Sequence, residues 1–290
     1  MILTARRQTV TAEVAFLLRE PLVETAQKFN DGEARILVPK ADSYVFVQSL
    51  CPPNQDELLL ELSLSLQSAK EFSNDITLVL PYCAYLRQDR TTREGEPVSA
   101  KLVAELLKTA SKTFILEAHS PRALSYFHNV QNIDSFSLAQ NIECDVIVSP
   151  DQGGVGRAKK IAEERRKKFG SITKTRPEPG KAEAKSYEGD SLKGKKVLLL
   201  DDIVDSGGSL IKAAEFLKEK GASQVKAFCT HAILSNNAGQ RIQDSVIDEL
   251  IVSNSIPQEN LPPKIKVENA AGLIANSLKH TKPLPQWLQY

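Results

Sequence analysis

The sequence predicts an α/β protein of two similar domains, each a mainly parallel sheet flanked by helices. Three observations carry that expectation. Short aliphatic runs, among them Tyr44–Gln48, Ile76–Leu80, Asp145–Asp151 and Val197–Leu200, alternate with longer stretches whose apolar residues recur at helix spacing. That is the β–α–β rhythm of a parallel sheet. The run Val197–Leu200 is aliphatic throughout, as a strand buried on both faces is. The same scheme then repeats in the second half, and the expected domains are residues 1–138 and 139–290, with the last residues packing on the first domain.

In chain order, the cluster Phe29-Asn30-Asp31-Gly32-Glu33 precedes the strand-like Ala34–Val38 and reads by composition as a plain hairpin turn. Tyr44–Gln48 reads as a buried strand, and Cys51-Pro52-Pro53 breaks it. Asp56 is the expected cap of a helix carrying Leu58, Leu59, Leu62, Leu66 and Ala69. Ile76–Leu80 is a strand stopped by Pro81, and the loop after it, Tyr82–Pro97, carries two tyrosines and three arginines. Arginines there can fork onto phosphate oxygens and aromatics can flank a purine, although a solvated charged loop accounts for the same composition. Val98–Ala110 is an expected helix with Ser99 as a candidate cap. Thr113–Ser120 is an expected strand that delivers Glu117 and His119, two apart, to one face. A carboxylate and an imidazole together could hold a metal or carry a proton; a purely structural histidine is the plainer alternative.

In the second half, Asp145–Asp151 is a strand ending in an acid, and Gln152-Gly153-Gly154 opens a basic helix running to about Lys168. Glycines at a helix start beneath a carboxylate suit pyrophosphate with Mg²⁺. Ser171–Lys193 is polar, punctuated by proline and glycine, and has no hydrophobic period, so it is expected to be a mobile excursion. Lys174 and Arg176 stand at its start. A basic flap of that kind can close over a phosphoryl transfer, and a solvated charge run is the alternative.

Lys plus Arg number 37 against 36 Asp plus Glu, so no global field favours nucleic acid or an anionic membrane. Cys51, Cys83, Cys144 and Cys229 are scattered without CxxC spacing, which fits reduced thiols and argues against zinc. The N-terminus lacks a signal pattern and no apolar run approaches ~18 residues, so the expected location is cytoplasmic.

The densest chemistry lies in Val197–Leu210. Four aliphatics end in Asp201 and Asp202, then Asp205, then Ser206-Gly207-Gly208-Ser209, then a helical pattern that Gly221 stops. Glycines and hydroxyls at a helix N-terminus bind an anion, while paired acids accept from sugar hydroxyls or hold a hard cation such as Mg²⁺. Phosphate at one end and polyol at the other describe a sugar phosphate. A helix cap needs one acid here and not three beside a Gly-Gly.

That loop resembles the phosphoribosyl-pyrophosphate-binding motif of the type I phosphoribosyltransferase superfamily. Arg87-Gln88-Asp89-Arg90 followed by Gly95-Glu96-Pro97-Val98-Ser99-Ala100-Lys101-Leu102 narrows the resemblance. Phe29–Glu33, Val148–Gly154 and Lys174-Thr175-Arg176 narrow it further. With these segments, the chain from about Phe29 to Pro257 is similar to the ribose-phosphate pyrophosphokinase family. The resemblance implies two phosphoribosyltransferase-like domains and transfer of pyrophosphate from ATP to the 1-hydroxyl of ribose 5-phosphate. It implies Mg²⁺ as cofactor and a homodimer or homohexamer. By residue it implies ATP contacts from Arg87, Gln88 and His119, with Phe29, Asp31 and Glu33 reaching adenine from a neighbouring subunit. It implies metal binding by His119 and Asp151, and catalysis by Lys174 and Arg176. Ribose 5-phosphate would be held by Asp201, Asp202, Asp205, Ser206, Gly207, Gly208 and Ser209. The chain departs from the family pattern at Glu117 and Ser120, at Ser206 and Ser209, after Glu33, and over Leu234–Gly239. The first of these departures favours an alternative, a non-catalytic protein associated with a synthetase. A phosphoribosyltransferase that consumes the product is a third reading, and Arg87–Ala104 counts against it.

Overall fold

The computed structural model describes residues 1–175 and 184–279. Two compact units divide them: residues Met1–Ser135 with Asn254–Pro257 and the described residues from Asn269, and residues Phe136–Ser253 with Gln258–Glu268.

The first unit opens with β1 (Ile2–Thr4), α1 (Thr9–Leu18), β2 (Leu22–Glu24), β3 (Ala26–Lys28), β4 (Ala34–Ile36) and β5 (Tyr44–Val47). It continues with α2 (Gln55–Lys70), β6 (Ile76–Leu80), α3 (Ser99–Leu106), β7 (Lys112–Leu116), α4 (Pro121–Leu124) and β8 (Val130–Ile133). Six strands form one sheet in the order β2-β1-β5-β6-β7-β8, every pair parallel. β5 is buried along its whole length, as its unbroken apolar run requires. β3 and β4 stand apart as an antiparallel hairpin, so the Phe29–Glu33 cluster is a hairpin turn. Two expected caps are corrected: Asn54, not Asp56, precedes α2, and Val98 precedes α3, neither making a side-chain cap bond.

The second unit begins with a 3-10 turn at Phe136–Ala139, then β9 (Val146–Ser149), α5 (Val155–Glu164), β10 (Lys168–Thr175) and β11 (Ala184–Gly189). After these come β12 (Lys196–Val204), α6 (Gly208–Glu219), β13 (Gln224–Ala232), α7 (Ala238–Gln243), β14 (Glu249–Ser253) and β15 (Ile265–Glu268). A last helix, α8 (Ala271–Lys279), belongs to the first unit. The sheet order is β11-β10-β9-β12-β13-β14-β15, parallel except for the antiparallel β10–β11 pair.

Strand alternation splits β12 between two cores. Val197 and Leu199 pack with Leu210, Ala214 and Leu217 of α6, while Leu198 and Leu200 pack with Ala158 and Ile161 of α5 and with Phe228. Each such fully buried aliphatic contributes about 1.5–3 kcal/mol. The strand is thus clamped from both faces, and its C-terminal end is held in place.

The mobile excursion expected over Ser171–Lys193 is corrected for the described residues. Ser171–Thr175 and Ala184–Gly189 form the β10–β11 hairpin, with Ile172 opposite Tyr187 and Gly170 opposite Gly189. The ring of Tyr187 lies against Gly170 and Gly189, where any Cβ would collide with it. Beyond Phe169, which packs at the start of β10, the described apolar contacts of the pair are the buried Ile172 and the half-buried ring of Tyr187, so no hydrophobic period announces it. Lys174 lies in β10. Arg176 and the C-terminal segment with Trp287 lie outside the described residues.

Candidate active site

Two of the three acids of Val197–Leu210, Asp201 and Asp202, lie in a strand and not in a loop. β12 runs through Asp201 and Asp202 to Val204, pairing Asp201 with Cys229 and Val204 with Ala232 of β13. The turn is therefore short: Asp205, Ser206 and Gly207, with α6 starting at Gly208. Gly207 has φ +74, a left-handed conformation that glycine adopts at little cost, and no side chain caps the helix start. Asp202 faces α5, where Arg157 reaches its Oδ1 at 3.3 Å. The Asp202 N–H donates to Asp201 Oδ1 at 2.9 Å. Burial, then the Asp202 charge, then that of Asp151 push the Asp201 carboxyl well above the usual carboxylate range. Two neighbouring carboxylates thus act on Asp201 at the end of the sheet.

Asp151 follows β9, the neighbour of β12. Its Oδ1 accepts from Gly154 N–H at 3.1 Å, and Ser149 Oγ donates to its carbonyl oxygen at 2.7 Å. Gly154 has an ordinary φ of −88. Glycine is required there for space: a Cβ would stand 2.7 Å from Ser149 Oγ.

In the first unit, the loop after β6 and the start of α2 enclose a cavity of about 430 Å³ lined by Pro52, Gln55, Tyr82, Tyr85, Arg87 and Gln88. Arg87 and Gln88 thus share one concavity with two aromatic rings. Ser99 Oγ donates to Gln88 Oε1 at 2.5 Å, which is its role in place of capping α3. Tyr85 donates to Asp56, and that bond raises the phenol pKa. Phe29, Asp31 and Glu33 lie together at the tip of the β3–β4 hairpin. Phe29 is 50 % exposed with the Arg35 guanidinium 5.8 Å over its ring.

Glu117 and His119 do not share a strand face. β7 ends at Leu116, and Glu117 takes a left-handed φ of +44. Its buried carboxylate turns inward to accept from Ser135 N–H and Oγ, both at 3.1 Å. Ser120 does cap a helix, accepting from Ala123 N–H at 3.0 Å, and donates to Asp89 Oδ2 at 2.6 Å. The loop carrying His119 is thereby tied to the loop carrying Arg87 and Gln88.

Comparison with known proteins decides the family. The profile described as the N-terminal domain of ribose phosphate pyrophosphokinase matches residues 1–111, and that of a phosphoribosyl synthetase-associated domain matches 186–282. The ribose-phosphate pyrophosphokinase of Oceanobacillus iheyensis is 38% identical over 270 residues, covering 88% of this chain and 84% of the relative. That of Bacillus subtilis is 38% identical over 267 residues, covering 87% and 83%. The chain belongs to the ribose-phosphate pyrophosphokinase family. The crystal structure of phosphoribosylpyrophosphate synthetase from Mycobacterium smegmatis superposes with a TM-score of 0.87 at 30% identity, covering 96% of this chain and 97% of that one. The fold is that of this family, two phosphoribosyltransferase-like α/β domains.

Among the described residues of this family member, no three His, Cys, Asp or Glu side chains form a ready metal cage. Yet burial and the neighbouring Asp202 and Asp151 charges hold the Asp201 carboxyl well above the usual carboxylate range. Closely spaced hard oxygen donors fit a cation such as Mg²⁺, which takes one or two carboxylates and completes its shell from water and phosphate. The four cysteines are buried and make no disulfide; burial pushes Cys51 up to about 11, so none is a ready thiolate.

Two site residues escape sequence reasoning. Arg157 is visible only as part of a basic helix, and nothing in spacing pairs it with Asp202. Arg241, from α7, donates to the Ser206 carbonyl oxygen at 2.9 Å from 35 positions away.

Proposed function

We propose that this chain transfers the β,γ-pyrophosphoryl group of ATP to the 1-hydroxyl of ribose 5-phosphate, yielding phosphoribosyl pyrophosphate and AMP. The hydroxyl oxygen bonds to the β-phosphorus, the bond from that phosphorus to the α–β bridging oxygen breaks, and the hydroxyl proton is lost. The observation that carries this reading is the junction of β12 and α6: paired acids ending a buried strand, then a left-handed glycine opening an uncapped helix, in a member of this family. Asp201 and Asp202 accept from the ribose hydroxyls, and Asp205 to Ser209 hold the 5-phosphate on the helix N-terminus. Arg87 and Gln88 bind ATP beside the two tyrosines, and His119 serves the same substrate.

Mg²⁺ is the proposed cofactor, with His119 and Asp151 as its protein ligands; bound, it neutralises phosphate charge. Lys174 and Arg176 supply the remaining positive charge. Phosphoryl transfer depends on such positioning and neutralisation more than on covalent chemistry. Phe29, Asp31 and Glu33 are proposed to reach the adenine held by a neighbouring subunit, so the working form is a homodimer or homohexamer. No helix among the described residues is long and apolar enough to cross a membrane, and the proposed location is cytoplasmic. Relatives 35–38% identical over most of the chain are themselves ribose-phosphate pyrophosphokinases, so the non-catalytic alternative is not favoured.

The test is AMP formation from ATP and ribose 5-phosphate with Mg²⁺. Wild type forms AMP, and Lys174→Ala lowers kcat by roughly 10³-fold or more, the scale of a lost transition-state cation. No AMP from wild type, or equal rates from both proteins, overturns the assignment.

A further inference from the structure

The segment between β13 and the end of α7 touches the sugar-phosphate loop at every turn. Ser235 Oγ donates to Asp205 Oδ1 at 2.6 Å. Gly207 sits where a Cβ would meet Ile242 at 3.4 Å and Ala238 at 3.7 Å. The connector takes left-handed φ values at Leu234 (+52), Asn236 (+52) and Asn237 (+58); asparagine tolerates that region, and leucine is strained there. Such strain persists only where the surroundings impose it and gathers at functional sites.

What that strain positions is a guanidinium. Arg241 Nη1 donates to the Ser206 carbonyl oxygen at 2.9 Å, and Nη2 stands 3.6 Å from where a Gly208 Cβ would be. The cation therefore lies over the first residue of α6, at the positive end of a 12-residue helix. The side chain is exposed, and no carboxylate pairs with it among the described residues. A guanidinium has five donors in a fixed fork, and the bond to Ser206 uses a single one. Its other donors are matched in shape and charge to a phosphate dianion seated on the helix start.

We infer that Arg241 reads the phosphate group of the sugar substrate, as a specificity residue for ribose 5-phosphate. This rests on the reading of Asp205–Ser209 as the sugar-phosphate loop. The residue acts on one substrate alone. Arg241→Gln raises KM for ribose 5-phosphate at least tenfold and leaves KM for ATP within twofold. Arg241→Lys, which keeps the charge and loses the fork, falls between them. A residue that only braced the loop would lose stability together with affinity, and lysine would restore both by donating to the Ser206 carbonyl oxygen. The same variants are titrated with ribose 5-phosphate by calorimetry, which reads binding without turnover and separates this inference from the reaction. Weaker binding by Arg241→Gln, in a protein that melts like wild type, supports the inference even if AMP formation fails. Equal affinity for wild type and Arg241→Gln, or a parallel rise in both KM values, overturns it. Absence of ribose 5-phosphate binding to wild type overturns the loop reading and the inference together.

Discussion

The second unit holds two loops that look alike in sequence, Asp151-Gln152-Gly153-Gly154 and Asp205-Ser206-Gly207-Gly208, and the structure gives them opposite designs. Both follow a buried strand and open a helix. In the first, the loop's own acid takes the Gly154 N–H, so part of the helix's positive end is already answered. Neither α5 nor α6 has a side-chain bond from its cap residue, but in the second loop a guanidinium stands over the helix start. One loop bonds its own acid back to its helix start; the other presents a cation there. The glycines differ too: Gly154 is needed for room, Gly207 for handedness.

Gly154→Ala should show the largest effect. Its Cβ would stand 2.7 Å from Ser149 Oγ, and that hydroxyl is held by its bond to the Asp151 carbonyl oxygen. Overpacking of this kind costs about 1–3 kcal/mol. Chemical denaturation measures it, and Ser149→Ala in the same chain should restore part of the loss. A change within about 0.5 kcal/mol, the range of neutral substitutions, would mean that space is not why glycine is there.

Gly207→Ala follows, at about 1–2 kcal/mol for an L-residue forced left-handed. Gly207→Asn should cost less, because asparagine tolerates that region. Equal losses from both would place the cost in the Ile242 contact instead of the backbone. The same denaturation measurement distinguishes these outcomes.

The two loops also show what was legible beforehand. The parallel sheets, the helix after Gly208 and its end at Gly221 (φ +95) were all written in local pattern. The reach of β12 was not. Strand propensity argues against consecutive acids, yet pairing with β13 carries the strand through Asp201 and Asp202. The β10–β11 hairpin is hidden because, beyond Phe169, its described apolar contacts are one isoleucine and one tyrosine amid polar residues. Glu117 was assigned to the wrong face because the left-handed turn that ends β7 falls on a residue with no sequence mark for it. Arg157 and Arg241 reach their partners only through tertiary packing, so no spacing rule could select them.

Asp201→Asn sharpens the comparison through charge. Burial and two neighbouring acids raise the Asp201 carboxyl above its unfolded value. Between those two values the folded chain binds the extra proton, so wild-type stability falls as pH rises through that window. An asparagine has no proton to lose there. The melting midpoint of Asp201→Asn in metal-free buffer should therefore exceed that of wild type at about pH 8, with the gain shrinking toward about pH 4. AMP formation should fall in the same variant, the exchange of stability for function expected of a charged site. A gain that is independent of pH would detach it from the carboxylate.

Asp151→Asn should have the smallest effect, and it separates the two jobs given to the closed loop. An amide oxygen can still accept from Gly154 N–H, the bond that measures 3.1 Å to the carboxylate. Stability should stay within about 0.5 kcal/mol of wild type, whereas Asp151→Ala, which deletes the acceptor, should lose about 1 kcal/mol. With the loop standing in Asp151→Asn, any drop in AMP formation reports on the missing negative charge and not on a collapsed turn. If asparagine instead destabilises as much as alanine, the charge of Asp151 is what holds the loop, and closure by hydrogen bonding is the wrong account of it.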